Sequence, residues 1–174
     1  MKLVQLVKKA QKGNMKAYLT LFQTFEEDLY RMAFLYVKNE QDALDIVQET
    51  AYRSFKSIKN LKEPEHVKTW LFKIVINCSF DLLRKRKKVL PLTQPIQMDW
   101  IGRIEEDLDL KIAVREIIDL LNEDEKTVIF LRFYEDLTFK EISEILDIPL
   151  GTAKTIFYRA LEKLRKKVKG VGVE

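Results

Sequence analysis

The sequence predicts an all-α fold of two small helical domains joined by a linker. Three observations carry that prediction. Apolar residues recur at three- and four-residue spacing along most of the chain. Only 5 Gly and 4 Pro occur among 174 residues, too few for a turn-rich sheet architecture. No stretch reads convincingly as a strand, and no internal repeat is present.

Helices are expected over residues 2–11, 15–36, 40–56, 64–87, 107–120, 123–134, 139–146 and 152–169. The third can be capped by Asn39, with acidic Asp42 in its first turn. Ala43, Ile46, Val47 and Phe55 supply its buried side. Asp42, Asp45, Glu49, Tyr52 and Arg53 share the other side, with Gln48 near its edge. An acidic, amide-bearing face repels DNA and suits a protein partner; a merely solvated face is the plainer alternative.

Pro64 fits the first position of the fourth helix. Leu71, Ile74, Val75, Cys78 and Leu82 form its core stripe, and Lys73, Asn77, Asp81, Arg84, Lys85 and Lys88 a polar one. The run Arg84-Lys85-Arg86-Lys87-Lys88 complements the dipole at the helix end and suits contact with phosphates, whereas a solvated face is the better reading of Lys73 or Asp81 alone. Trp70 belongs to the core or forms a stacking platform for an unpaired base.

Pro91, Thr93, Gln94, Pro95, Gln97 and Gly102 then interrupt the periodicity. The expected organisation is a domain over 1–88, a linker over 89–106 and a second domain over 107–174. Trp100 and Ile101 within the linker are large apolar residues, expected to pack on a domain or a partner.

The second domain is expected to be a four-helix unit ending in a helix-turn-helix. Asn122 can cap its second helix, with Glu125 three residues on. Thr138 can cap the next, with Glu141 closing a capping box and Leu137 and Ile142 placed for a hydrophobic staple. Asp147-Ile148-Pro149-Leu150-Gly151 breaks the pattern, and a longer helix follows from about Thr152. Ala153, Ile156, Ala160, Leu161, Leu164 and Val168 line its inner side; Lys154, Thr155, Tyr158, Arg159 and Glu162 fall on its outer side. Such a face can enter a major groove, whereas an ordinary helical hairpin with a wet basic face fits the same periodicity. The length of the last helix and the tail Lys163, Arg165, Lys166, Lys167, Lys169 favour the groove.

Composition narrows the function classes. Net charge is +4, with 47% hydrophobic and 33% charged residues, as in a globular chain. Positive charge clusters at 84–88 and at the C-terminus, negative charge at Glu105-Glu106-Asp107 and Glu123-Asp124-Glu125. Clustered basic charge suits a polyanion. With one Cys, Cys78, and one His, His66, no disulfide within the chain and no Cys/His zinc site can form, which fits a reducing cytoplasm. Cys78 lies on an apolar stripe and is expected to be a buried thiol. No phosphate-cradling glycine loop, metalloprotease motif, membrane-spanning run or signal peptide is legible, so no cofactor, metal or catalysis is expected.

Three separated motifs, in order, resemble those of a known family. Asp42-Ala43-Leu44-Asp45-Ile46-Val47-Gln48-Glu49 resembles its D-x-x-D-x-x-Q-E signature. Trp70-Leu71-Phe72-Lys73-Ile74-Val75-Ile76-Asn77, with Asp81 and Arg84-Lys85, resembles its W-L-x-x-I-x-x-N-x-x-x-D-x-x-R-K. Leu131-Arg132-Phe133-Tyr134-Glu135-Asp136-Leu137-Thr138, with Glu141-Ile142 and the segment from Pro149 through Lys154, resembles its C-terminal signature. The family is that of the alternative bacterial sigma factors of the extracytoplasmic-function type, and the resemblance covers nearly the whole chain.

The resemblance implies a non-enzymatic subunit that binds core RNA polymerase and reads promoter DNA. It implies that Asp45, Gln48 and Glu49 dock on the clamp helices of the polymerase's largest subunit. The loop over 60–65, with Asn60, Lys62 and Glu63, and the following helix, with Trp70, Asn77, Arg84, Lys85 and Lys88, would capture the melted −10 strand. Thr152, Lys154, Thr155, Tyr158 and Arg159 would enter the −35 major groove. It further implies a cognate anti-sigma factor, often membrane-anchored, and a cytoplasmic location. Ile156 stands where many members carry arginine, and Ala153 where valine is usual. The 60–65 loop matches no particular subgroup. The alternatives are a one-component helix-turn-helix regulator, expected to bind duplex DNA tightly by itself, and a protein-binding helical adaptor, indifferent to its basic residues.

Overall fold

The structure, a computed structural model, describes residues 2–87 and 119–171. The expected linker with Trp100 and Ile101, the acidic cluster at 105–107, Lys88 and all but the last two positions of the helix over 107–120 lie outside the described residues. The chain divides into two compact units, Met1–Gln97 and Met98–Glu174. All described regular structure is helical.

In the first unit, α1 (Lys2–Gln11), α2 (Met15–Val37), α3 (Glu40–Ser57) and α4 (Val67–Lys87) follow one another, with short 3₁₀ turns at Ile58–Asn60 and Pro64–His66. The α1–α2 junction is set by Gly13, whose φ of 90° is a conformation natural to glycine. The Asn14 N–H donates to the Lys9 carbonyl at 3.1 Å, closing the end of α1. The Asn14 side chain then accepts from Ala17 N–H at 2.9 Å and starts α2. Asn39 caps α3 as expected, accepting from Asp42 N–H at 2.9 Å. Pro64 opens a 3₁₀ turn rather than the α-helix itself, which begins at Val67.

The long α2 is the axis of this unit, packing against α1, α3 and α4. Leu21, Leu29, Met32 and Ala33 from α2, Ala43 and Ile46 from α3, and Leu71, Phe72, Val75 and Ile76 from α4 make up its core. Each large side chain among them contributes about 1.5–3 kcal/mol by leaving water. Tyr18 reaches through this layer, its hydroxyl donating to the Ala51 carbonyl at 2.6 Å and lying 2.8 Å from Ser54 Oγ. Phe55, expected in the core, is an edge residue: it is partly exposed and meets Tyr18 edge-on at 5.0 Å.

The second unit contains α5 (Glu123–Ile129), continued by a π-helical turn over Phe130–Tyr134, then α6 (Phe139–Leu146) and α7 (Leu150–Val171). The capping box expected of Thr138 and Glu141 is formed, and the Asn122 cap is closed by Glu125 into a second one. Leu137 and Ile142 are both buried, as a staple requires. The expected helix over 123–134 widens at its end, where Glu135 N–H donates to the Phe130 carbonyl at 3.2 Å. The Phe130 and Tyr134 rings stack there at 4.9 Å. Helix α7 begins two positions earlier than expected, because the Pro149 carbonyl already accepts Ala153 N–H at 3.1 Å. Ala153, Phe157 and Ala160 are its buried residues, with Ile156, Leu161 and Leu164 half-buried. Val168, expected on the inner side, is 57% exposed: it lies beyond the reach of the short α5 and α6.

Candidate nucleic-acid and protein interfaces

The α6–α7 turn is built by Asp147 in the left-handed conformation at φ 52°. A short polar side chain tolerates that conformation. The Ile148 N–H donates back to the Ser143 carbonyl at 3.1 Å, which closes α6 and redirects the chain within three residues. Thr152, Lys154, Thr155, Tyr158 and Arg159 are all exposed along α7. Lys154 and Arg159 form no ion pair among the described residues, so both charges are available to phosphates or base edges.

The aim of this face is fixed by rings behind it. Buried Phe157 meets Phe139 at 5.1 Å and Phe133 at 5.5 Å, and Tyr158 leans on Phe157 at 5.4 Å. Arg132 lies over the Phe139 ring at 5.5 Å. Phe157 is the residue that the sequence reading left out of the inner stripe. The i, i+4 spacing to Ala153 and Leu161 was the signal that could have found it. Ile156 is half-buried and serves packing.

The basic tail is less free than its composition suggests. Lys163 donates to the buried Glu125 at 2.8 Å, and Lys166 pairs with Glu162 at 2.9 Å on the same helix. Lys163 is thereby committed inside the chain, whereas the Lys166–Glu162 pair is open to water on both sides.

In the first unit, Asn60, Lys62 and Glu63 lie exposed on the segment between the two 3₁₀ turns. Gln11 of α1 clips that segment in place, its side-chain N–H groups donating to the carbonyls of Ile58 at 3.1 Å and Leu61 at 2.8 Å. His66 stands 3.6 Å from Glu63, too far for a hydrogen bond. Trp70 is half-buried, while Asn77, Arg84 and Lys85 are exposed. Trp70, Asn77 and Arg84 recur every seven residues and so share one side of α4 over about 21 Å.

On α3, Asp45, Gln48, Glu49 and Tyr52 are exposed together. Asp42 leaves this face: it is buried and paired with Arg86 of α4. Leu44, 42% exposed, belongs beside Asp45 and Gln48. An open groove of about 350 Å³ runs along it, lined by Gln23, Glu26, Glu27, Tyr30, Leu44 and Val47.

Arg53 ties the two helices together. It donates to Glu49 at 2.6 Å and across to Asp81 of α4 at 2.7 Å, and Arg84 also donates to Asp81. The Arg53 guanidinium holds the Asp81 carboxyl below its ordinary range, with Arg84 adding to the effect. The same bonds, to Asp81 first and Glu49 second, raise Arg53 in turn. Two of the four basic residues in the last turn of α4, Arg84 and Arg86, thus have carboxylate partners within the chain. Lys85 and Lys87 form no ion pair among the described residues.

Comparison with known proteins follows this division. Residues 21–89 match the Sigma-70 region 2 family, and residues 117–166 match Sigma-70, region 4. The RNA polymerase sigma factor SigV of Bacillus subtilis is 39% identical over 156 residues, covering 89% of this chain and 93% of that protein. The ECF RNA polymerase sigma factor SigW of the same organism is 30% identical, covering 94% of this chain and 95% of that protein. Among solved structures, the sigma factor RpoE of Bartonella quintana, in complex with the anti-sigma factor NepR, is similar in fold. Its TM-score is 0.73 at 21% identity, covering 89% of this chain and 98% of that one. Two family matches in series, one in each unit, leave no place for the one-component regulator. The chain belongs to the RNA polymerase sigma factors of the extracytoplasmic-function type.

Proposed function

We propose that this chain is the promoter-specificity subunit of a bacterial RNA polymerase, acting without catalysis of its own. The observation that carries the reading is the pairing, in one chain, of an acidic α3 face and a groove-sized basic α7 face, within units of the two sigma regions. Asp45, Gln48 and Glu49, with Leu44 beside them, form the surface for core polymerase. Thr152, Lys154, Thr155, Tyr158 and Arg159 read the −35 duplex. Asn60, Lys62, Glu63, Trp70, Asn77, Arg84, Lys85 and Lys88 hold the separated −10 strand, with Trp70 offering a ring to an unstacked base. The side of α4 from Trp70 to Arg84 is about 21 Å long, the span of about six nucleotides at duplex spacing.

A cognate anti-sigma factor controls access to these faces. Complexes of this kind among proteins of the same fold support that partner. Work on the chromosome places the chain in the cytoplasm. No helix among the described residues is long and apolar enough to cross a membrane.

The test is co-elution of the purified chain with core RNA polymerase, followed by transcription from a pool of genomic DNA. Co-elution with new start sites that share −35 and −10 sequences is expected, and Asp45→Lys or Glu49→Lys should abolish both. No association with core, or charge reversals that leave polymerase affinity unchanged, would overturn the reading.

A further inference from the structure

A chain of ion pairs joins the α3 face to the α4 face, and we propose that it couples them: polymerase binding at Glu49 releases Arg84 to hold a DNA phosphate. The inference rests on the proposed function, which says what each face binds.

Arg53 stands at the centre of the chain. Its Nε donates to Glu49 Oε1 at 2.6 Å, and its Nη1 donates to Asp81 Oδ2 at 2.7 Å. Arg84 donates to the other oxygen of Asp81, Oδ1. Glu49, Arg53, Asp81 and Arg84 therefore alternate in sign from one face to the other. Their charges sum to zero.

In this state Arg84 is a poor phosphate ligand, because Asp81 answers its charge and repels an approaching anion. The hold of Asp81 on Arg84 depends on how fully Arg53 answers Asp81, and Arg53 is shared with Glu49. A cationic side chain on a partner that takes Glu49 leaves Arg53 to Asp81 alone. Asp81 then loosens its hold on Arg84, which turns to the strand. The Asp42–Arg86 pair joins the same two helices and is separate from the chain. The signal thus passes through side chains over a fixed α3–α4 contact. The four side chains are between 30% and 74% exposed, so each link is weak. The coupling is about two- to fivefold in affinity, as expected of exposed ion pairs.

The experiment titrates the free full-length chain against a short fluorescein-labelled single strand of mixed sequence at low salt. Glu49→Gln stands in for an occupied α3 face. It should tighten strand binding by about two- to fivefold. Asp45→Asn removes the same charge from the same face outside the chain of pairs, and its gain should be smaller. The excess should vanish when Glu49→Gln is combined with Arg84→Gln or Asp81→Asn. All four sites are at least partly exposed, so the variants should melt with the parent. Equal gains from Glu49→Gln and Asp45→Asn, or a gain that survives Arg84→Gln, would overturn the coupling and leave the proposed function standing. Unchanged strand affinity in Arg84→Gln would overturn the assignment of Arg84 to the strand, and the coupling with it.

Discussion

Replacing Lys163 by methionine should destabilise the second unit, although Lys163 sits in a tail that looks built for phosphates. Glu125, 1% exposed, caps α5 and receives Lys163 Nζ at 2.8 Å on the same oxygen that accepts Asn122 N–H at 3.1 Å. Its other oxygen is buried and finds no hydrogen-bond partner among the described residues. Without Lys163, a buried carboxylate keeps one backbone donor. Breaking a wholly buried pair from one side costs about 3–5 kcal/mol. Lys163 is itself 42% exposed, so water reaches the gap. The expected loss is therefore about 1–3 kcal/mol, the cost of leaving one buried polar group short of a partner. At about 4–8 °C per kcal/mol for a unit of this size, the melting temperature should fall by roughly 5–20 °C. Calorimetry of the full-length variant measures it. Glu125→Gln keeps an N3 side chain able to close the capping box and needs no cation, so the double variant should recover most of the loss. The reasoning fails if Lys163→Met melts with the parent, or if the double variant is no more stable than the single one. A phosphate ligand at this position would instead leave the melt unchanged and lower the salt dependence of DNA binding by about one ion.

Two further outcomes are expected. Lys154→Ala or Arg159→Ala should weaken binding of the polymerase complex to duplex carrying its −35 element by roughly 5- to 150-fold, or about 1–3 kcal/mol, without moving the melting temperature. In the first unit, burial pushes the Cys78 thiol and the Tyr18 phenol above their ordinary values of 9.0 and 10.0. Both therefore stabilise the fold while protonated. That contribution is complete below pH 9 and is lost as the pH rises through the raised values, so urea midpoints should fall on the alkaline side. Cys78→Ala and Tyr18→Phe should each flatten that fall, and an unchanged slope in both variants would refute the assignment.

Helix limits and caps were legible because they are local. Asn39, Asn122 and Thr138 each sit within four residues of the N–H groups they satisfy, and Pro149 marks the turn before α7. The exposure of the described polar site residues of α3, α4 and α7 was legible too, since helical spacing sorts polar from apolar sides. What a polar residue pairs with was not. Asp42 meets Arg86, Arg53 meets Asp81 and Glu125 meets Lys163 across distances in sequence that periodicity does not span. For the same reason Arg84, Arg86 and Lys163 read as free cations. Phe55 and Val168 show the complementary error. A helical wheel says which side a residue is on, and the length of the neighbouring helix decides whether anything covers it.

The arrangement of α7 has a consequence for how such a protein changes over generations. Ala153, Phe157 and Ala160 hold the helix down, while Thr152, Lys154, Thr155, Tyr158 and Arg159 project from it. A substitution among the projecting residues costs little stability, because each removes little buried area. On the proposed reading of these residues, the DNA sequence recognised can therefore drift after gene duplication while the scaffold stays intact. Two copies can part company at their promoters long before either ceases to fold.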